Sequence, residues 1–419
     1  MLATCVNMDT VHSLSRYQFL QPKLPVWIGG RLSLQAERLH LLHARGALSL
    51  HGPEISGGDR PDSLCSGDQV RVWVIEDLGA KGLRFERIER LAAGEWSSTP
   101  SHAATSADFA HFVRTVREFF VQQKLDEIFT PSLVPCPGLE PSLEAFAVQV
   151  AQGREVREVY LPTSPEIHLK KALAEDWTDI FEIKTCFRKG EFSPHHENEF
   201  LMLEWYRSFA DLASIKADLQ NLLRYLQQAG FCGPLTLQET TFTQLFLEVL
   251  QFELSAQTTR SELQALCERL LIHHVAGDSF NDLFHRLWIE RIEPGLAVRG
   301  PLIVKDFPPS QAALARLTKE GWADRFEFYF QGLEIANAFN EVTDPEEQLQ
   351  RWHKEQEERR HLGTSALPQD PGLITALRRG LPPTGGIALG VERLYMACRG
   401  VQDIRQLREF ATDDLFSRR

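Results

Sequence analysis

The stretch Phe181–Arg207, FEIKTCFRKGEFSPHHENEFLMLEWYR, decides how this chain reads. Before its polar middle, Phe181, Ile183, Thr185 and Phe187 alternate on one face at the two-residue period of a strand. After it, Phe200, Met202 and Glu204 alternate with Leu201, Leu203 and Trp205. Two largely apolar strands around a charged loop predict a hairpin whose tip handles a polar ligand. Arg188 stands where the first strand runs out, and an arginine can grip a phosphate bidentately. Phe200 offers a ring on which a base can stack. An ordinary hairpin with a solvated loop would use the same residues, so the rest of the chain decides.

Working outward, Thr163-Ser164-Pro165-Glu166 opens a short helical pattern. Thr163 or Ser164 can cap it, Pro165 suits its first turn, and Glu166 suits the positive end of the helix dipole. Downstream, Phe326, Phe328 and Phe330 alternate on a strand, and after Gly332 a second strand carries Glu334, Asn337 and Glu341. Acids on an apolar strand are costly unless they meet cations. Mg²⁺ on a triphosphate, a substrate ammonium, or plain salt bridges would each serve. Thr384–Gly400, TGGIALGVERLYMACRG, is a glycine-rich strand entering a helix, with Arg393 at the helix start.

In this order the stretches resemble the motifs of class II aminoacyl-tRNA synthetases over residues 107–419. The ending EFLMLEWYR is similar to the lysyl-tRNA synthetase branch, most closely to short paralogues that lysylate translation elongation factor P. The resemblance implies an α+β fold, an antiparallel sheet flanked by helices. It implies ATP and Mg²⁺, lysine or β-lysine as the amino acid, and elongation factor P as acceptor in place of tRNA. On matched positions, Arg188, Arg393 and Glu334 would be catalytic, and Gly190, Glu191, His196, Glu197, Phe200, Ile335 and Gly390 would join them around ATP. Ser164, Glu166, Glu204, Tyr206, Asn337, Glu341 and Ala388 would line the amino-acid pocket, with Glu334 and Glu341 holding the metal. Three positions depart from the family pattern. Gly190 replaces an acid, with Glu191 one place later; Glu197 replaces an asparagine; Glu392 replaces an aspartate. Ala388 stands where lysyl-tRNA synthetases carry glycine and the elongation factor P paralogues carry alanine. Two rival readings are a tRNA-charging lysyl synthetase and a non-catalytic amino-acid sensor.

Residues 1–22 read as a lead-in, 23–95 as a small OB-like β-barrel of short alternating runs, 96–106 as a linker, and 107–419 as the catalytic domain. Trp27, Trp73 and Phe85 are expected in the barrel core. The barrel lacks the aromatic and basic surface that single-stranded RNA needs. Thr105-x-x-Asp108 predicts a capped helix start, followed by Phe109, Phe112, Val113, Val116, Phe119 and Phe120 at helical spacing. This helix and the following DEIFTPSLVP resemble motif 1, which implies a homodimer. A net charge of −12 over 419 residues argues against a general polyanion binder. No apolar run reaches membrane-spanning length, so no membrane is expected. Seven cysteines without a C-x-x-C pair fit a reducing cytoplasm. DPEEQLQRWHKEQEERRHLG is expected to form a solvated charged helix.

Overall fold

The computed structural model describes residues 11–13, 24, 26–35, 38–43, 46–51, 66, 68–78, 81–92, 103–138, 140, 143–312, 314–361 and 366–411. The chain divides into two compact units, one of residues up to 108 with 406–411, the other running from 109 to 405.

The first unit holds β1 (Val11–Ser13), β2 (Val26–Gln35), β3 (Arg38–His43), β4 (Gly46–His51), β5 (Gln69–Asp77) and β6 (Leu83–Ala92). Their order is β1-β2-β3-β4-β6-β5, and β5 also pairs with β2. That last pairing closes five strands into a barrel, which leaves no free edge among them. Ile28, Leu32, Leu41, Val70, Val72, Val74 and Phe85 fill its core. Trp73 corrects an expectation. It alternates with Val72 and Val74, so it lies on the outer face and stays partly exposed. The side chain of Trp27 and most of the lead-in lie outside the described residues.

The second unit begins in α1 (Ala103–Gln122), which starts two residues before the predicted cap at Thr105; the first part of the expected linker lies outside the described residues. Phe112, Val116, Phe119 and Phe120 are buried along one face of α1. Next come β7 (Asp126–Glu127), the hairpin β8 (Ala147–Gln152) and β9 (Glu155–Tyr160), α2 (Glu166–Leu173), β10 (Asp179–Phe187) and β11 (Glu199–Ser208). Helix α3 (Leu212–Gln228), capped by Asp211, buries Ile215, Leu219, Leu222 and Leu226. Strand β12 (Gln238–Thr241) leads to α4 (Phe242–Leu250), α5 (Arg260–Arg269) and α6 (Phe280–Leu287), each opened by a capping box. Then follow β13 (Leu302–Phe307), β14 (Ala323–Phe330), β15 (Leu333–Asn340), α7 (Pro345–His361), α8 (Pro371–Gly380), β16 (Thr384–Gly390) and α9 (Val391–Arg399).

Eight strands form the main sheet in the order β12-β13-β14-β15-β16-β11-β10-β7. The six central strands are antiparallel, and each edge strand is added in parallel, β12 on β13 and β7 on β10. The period-two alternation gives this sheet two faces of opposite character. Phe181 and Trp205 lie on one face, where both rings pack against Phe120 of α1 at centroid distances of 5.1 and 5.0 Å. The other face carries polar side chains that are themselves buried: Glu182 and Lys184 of β10, and Glu204 of β11.

Helix α7 is not simply a solvated face. Gln348, Gln356 and Arg359 are buried, and Arg359 Nη1 donates to the Leu143 carbonyl at 3.0 Å. Among the described residues no helix is long and apolar enough to cross a membrane.

Candidate active site

Register builds the site. On the polar face, Glu204 lies opposite Glu182 on one side and Ala388 on the other, and Ala388 lies opposite Asn337 of β15. Asn337 in turn faces Glu327 of β14. Ala388 therefore sits between Glu204 and Asn337, where its methyl group limits the room between them.

At the Glu204 end, four elements converge. Ser164 Oγ donates to Glu204 Oε1 at 2.6 Å, and the Tyr206 hydroxyl donates to Oε2 at 2.9 Å. Ser164 Oγ also accepts the Glu166 backbone N–H at 3.0 Å, which fixes the turn into α2. Lys170, one helical turn after Glu166, reaches Glu166 Oε1 at 2.5 Å and Glu341 Oε2 at 2.6 Å. It was absent from the sequence-derived site, although the i,i+4 spacing to Glu166 is the one that pairs charges on a helix. Two carboxylates, Glu166 and Glu341, thus share one buried lysine beside Glu204. Burial works against the charge on Lys170, but Glu166 and Glu341 outweigh it and raise its pKa. Burial, with the charge of Glu166 next, pushes the Glu204 carboxyl up to about 8. Burial raises Glu341 to about 7 against the pull of Lys170, and raises the Tyr206 hydroxyl well above its usual value. Gly386 closes this end: a Cβ there would run into the Tyr206 ring and the Glu341 carboxylate.

Four residues back along β11, about 13 Å of strand, the character changes from acidic to cationic. The Arg188 guanidinium lies over the Phe200 ring, 5.2 Å from its centroid. Its Nε is buried without a hydrogen-bond partner among the described residues, and its terminal nitrogens come only within 3.8 Å of Glu191 and 3.9 Å of Glu140. Both distances exceed hydrogen-bond range. Arg393, in the first turn of α9 behind Gly390, donates to the Glu334 carbonyl at 2.9 Å and contacts His196 Nε2. Burial and then Arg393 push His196 down to about 4, so it is neutral and accepts from Arg393. Its proton then sits on Nδ1, 2.8 Å from Ser193 Oγ. Ile335 is buried beside Glu334.

The departures in the loop have local causes. Gly190 adopts φ +82°, a region that penalises any residue with a Cβ, and Glu191 takes over the approach to Arg188. Glu197 is buried. Both oxygens of Glu392 accept the Leu201 backbone N–H, at 2.9 and 3.0 Å. That residue therefore anchors β11 to α9.

Of the two acids expected to hold the metal, Glu341 is paired with Lys170 at 2.6 Å, and Glu334 lies within the influence of Glu327, which sequence reasoning missed. Burial and then Glu327 raise Glu334 to about 7, with Arg393 opposing. Glu327 is itself held by Arg325 at 2.5 Å and by the Tyr329 hydroxyl at 2.6 Å. Only the pairing of β14 with β15 brings these two acids together, and no spacing rule along one strand could have shown it.

A cluster of buried acids around Lys170 and, farther along the same sheet face, the arginines Arg188 and Arg393 fit the class of enzymes that activate amino acids. The family model of tRNA synthetases class II (D, K and N) matches residues 98–414, and the chain belongs to that family. It is 34% identical over 310 residues to an elongation factor P--(R)-beta-lysine ligase of Vibrio vulnificus, covering 72% of this chain and 93% of the relative. The protein of that name from Photorhabdus laumondii is 34% identical over 309 residues, with coverages of 72% and 93%. The one from Mannheimia succiniciproducens is 35% identical over 313 residues, with coverages of 73% and 94%.

Proposed function

We propose that this enzyme activates (R)-β-lysine or lysine with ATP and transfers it to a lysine side chain of elongation factor P. The observation that carries the reading is the opposition of the Glu204 pocket to Arg188 and Arg393 on one sheet face. Glu166, Glu204 and Glu341 offer three carboxyl groups to one lysine, and burial and mutual charge raise Glu204 and Glu341, so an added ammonium would be met by their ionised forms. Arg188 has an orphaned buried Nε, and Glu191 and Glu140 stay beyond hydrogen-bond range of its terminal nitrogens, so it can take a carboxylate and the α-phosphate together.

In the first step a substrate carboxylate oxygen bonds to the α-phosphorus of ATP. The bond from that phosphorus to the bridging oxygen breaks, and pyrophosphate leaves. Arg188 aligns the two anions and neutralises charge that builds between them. Arg393 steers the terminal phosphates, while neutral His196 fixes the arginine's direction. In the second step the acceptor's neutral ε-amine attacks the acyl carbon, AMP leaves with the electron pair, and the nitrogen loses a proton. No nucleophile from this chain is required.

Glu334 and Glu341 are the carboxylates that would hold Mg²⁺, which takes one or two carboxylates beside phosphate oxygens. Burial raises both, so a divalent cation would favour their ionised forms, and when bound it would offset phosphate charge. A homodimer is supported by apolar side chains around the edge strand β7: Val121, Phe129 and Leu133 are 57, 82 and 49% exposed. A cytoplasmic setting fits the free thiols of the five described cysteines.

The test is ATP–pyrophosphate exchange with (R)-β-lysine and L-lysine, followed by acceptor assays with elongation factor P and with tRNA. Exchange with β-lysine preferred, and label appearing on the protein acceptor, is expected. Transfer to tRNA alone would replace this reading with a tRNA-charging one, and no exchange with either isomer would sink it.

A further inference from the structure

We propose that Cys232 and Cys398 form a thiol–disulfide exchange site, which takes a low-molecular-weight disulfide such as oxidised glutathione and closes to an intramolecular disulfide. The two are distant in sequence and meet at the ends of two helices. Cys232 follows the end of α3, where the chain turns at Gly230 with φ +80°. Cys398 lies in the last turn of α9, which ends at Gly400 with φ +69°. Their neighbours lock the approach. Arg399 Nη1 donates to the Gly230 carbonyl at 2.9 Å, and its guanidinium lies over the Phe231 ring, 4.8 Å from the centroid. Phe231 is buried and packs edge-on against Phe112 of α1 at 5.1 Å. Inside that frame the Cys398 thiol donates to the Cys232 sulfur, and both side chains remain partly exposed.

The environment assigns the two sulfurs different roles. The other described cysteines, Cys136, Cys186 and Cys267, are buried, and burial raises all three thiols. Cys232 moves the other way. The hydrogen bond from Cys398 outweighs its burial and, with the charge of Arg399, holds it below the usual thiol value. Cys398 is raised by that same hydrogen bond and by burial, and the negative end of α9 also disfavours its thiolate. Cys232 is therefore the attacking sulfur and Cys398 the resolving one. The Cys232 thiolate, its proton given to solvent, attacks one sulfur of oxidised glutathione. That S–S bond breaks, and one glutathione leaves as a thiolate and takes up a proton. Cys398 then loses its proton and attacks the Cys232 sulfur, and the second glutathione leaves in the same way. Two protein thiols become one disulfide, and one glutathione disulfide becomes two glutathiones. The new bond fastens α9, the helix that bears Glu392 and Arg393, to the chain leaving α3.

The experiment treats the reduced protein with excess oxidised glutathione, quenches with acid and maps the linked peptides by mass spectrometry. A Cys232–Cys398 linkage is expected, and dithiothreitol should reverse it. In Cys398→Ser the reaction should stop with glutathione on Cys232, whereas Cys232→Ser should carry neither product. Before oxidation, Cys232 should alkylate with iodoacetamide at pH 7 at least about tenfold faster than Cys136, Cys186 and Cys267. A bond between residues so far apart restrains the unfolded chain, so oxidation should raise the urea midpoint of wild type and leave that of either serine variant unchanged. No linkage between the two, glutathione remaining on wild-type Cys232, or a midpoint that falls on oxidation would each overturn the assignment. Alkylation of Cys232 no faster than that of the buried cysteines would do the same. None of these readouts depends on amino-acid activation, so failure here and failure of the function proposed above are distinguishable.

Discussion

Glu204 gives the sharpest quantitative test of the amine pocket. Its carboxyl is held at about 8 by burial and by Glu166, so the free protein carries it mostly protonated at neutral pH. An incoming ammonium favours the carboxylate and must expel that proton. At pH 7 about 0.9 proton should be released per lysine bound, falling to about 0.5 at pH 8 and about 0.1 at pH 9. Apparent affinity should rise about tenfold from pH 6 to pH 7 and flatten above pH 8. Isothermal titration calorimetry in buffers of different ionisation enthalpy reads the proton count directly. The substitution Glu204→Gln removes the titrating group, so proton release should vanish and binding should weaken. The sign extends to folding. A carboxyl whose folded pKa is raised stabilises the fold below its unfolded pKa, and that contribution is lost as pH rises through about 8. The urea midpoint of the free protein should therefore fall between about pH 5 and pH 8.5, less steeply in E204Q. Proton uptake on binding, or no net transfer at pH 7, would refute the assignment of Glu204 as the ammonium partner.

Three other outcomes follow from the geometry. Lys170→Met leaves Glu166 and Glu341 buried without their cation and should cost about 3–5 kcal/mol in urea unfolding, with added lysine restoring part of it. A mutant as stable as wild type would show that the two acids simply take up protons. Gly386→Ala places a methyl group against Tyr206 and Glu341, so KM for lysine should rise at least tenfold while KM for ATP holds; parallel loss of both would point to a general collapse of the sheet. Phe129→Asp should convert a dimer to a monomer in sedimentation equilibrium if the surface beside β7 is the subunit interface, and an unchanged mass would exclude that surface.

Much of the site was legible because its parts are local. Arg188 and Phe200 flank one loop, Ser164 and Glu166 open one helix, and Arg393 follows one glycine-rich strand, so each short stretch carries its own signature. The alternation through Phe181 and Trp205 likewise fixes which face packs on a helix, since a strand's period admits only two faces. Glu327 was missed for the opposite reason: it reaches Glu334 only across the β14–β15 pairing. Trp73 was misplaced because strand propensity does not say which face closes inward. The charged pattern of α7 gave no hint that Arg359 would be buried against a loop 216 residues away.

Sequence alone determined the elements, their order and the residue types each motif brings. Tertiary structure decided which carboxylates remain available to a ligand. Lys170 engages two of three at one end, and burial leaves Glu204 poised between protonation states. Charge availability is a property of neighbours and burial, and those exist only once distant strands and loops have packed together.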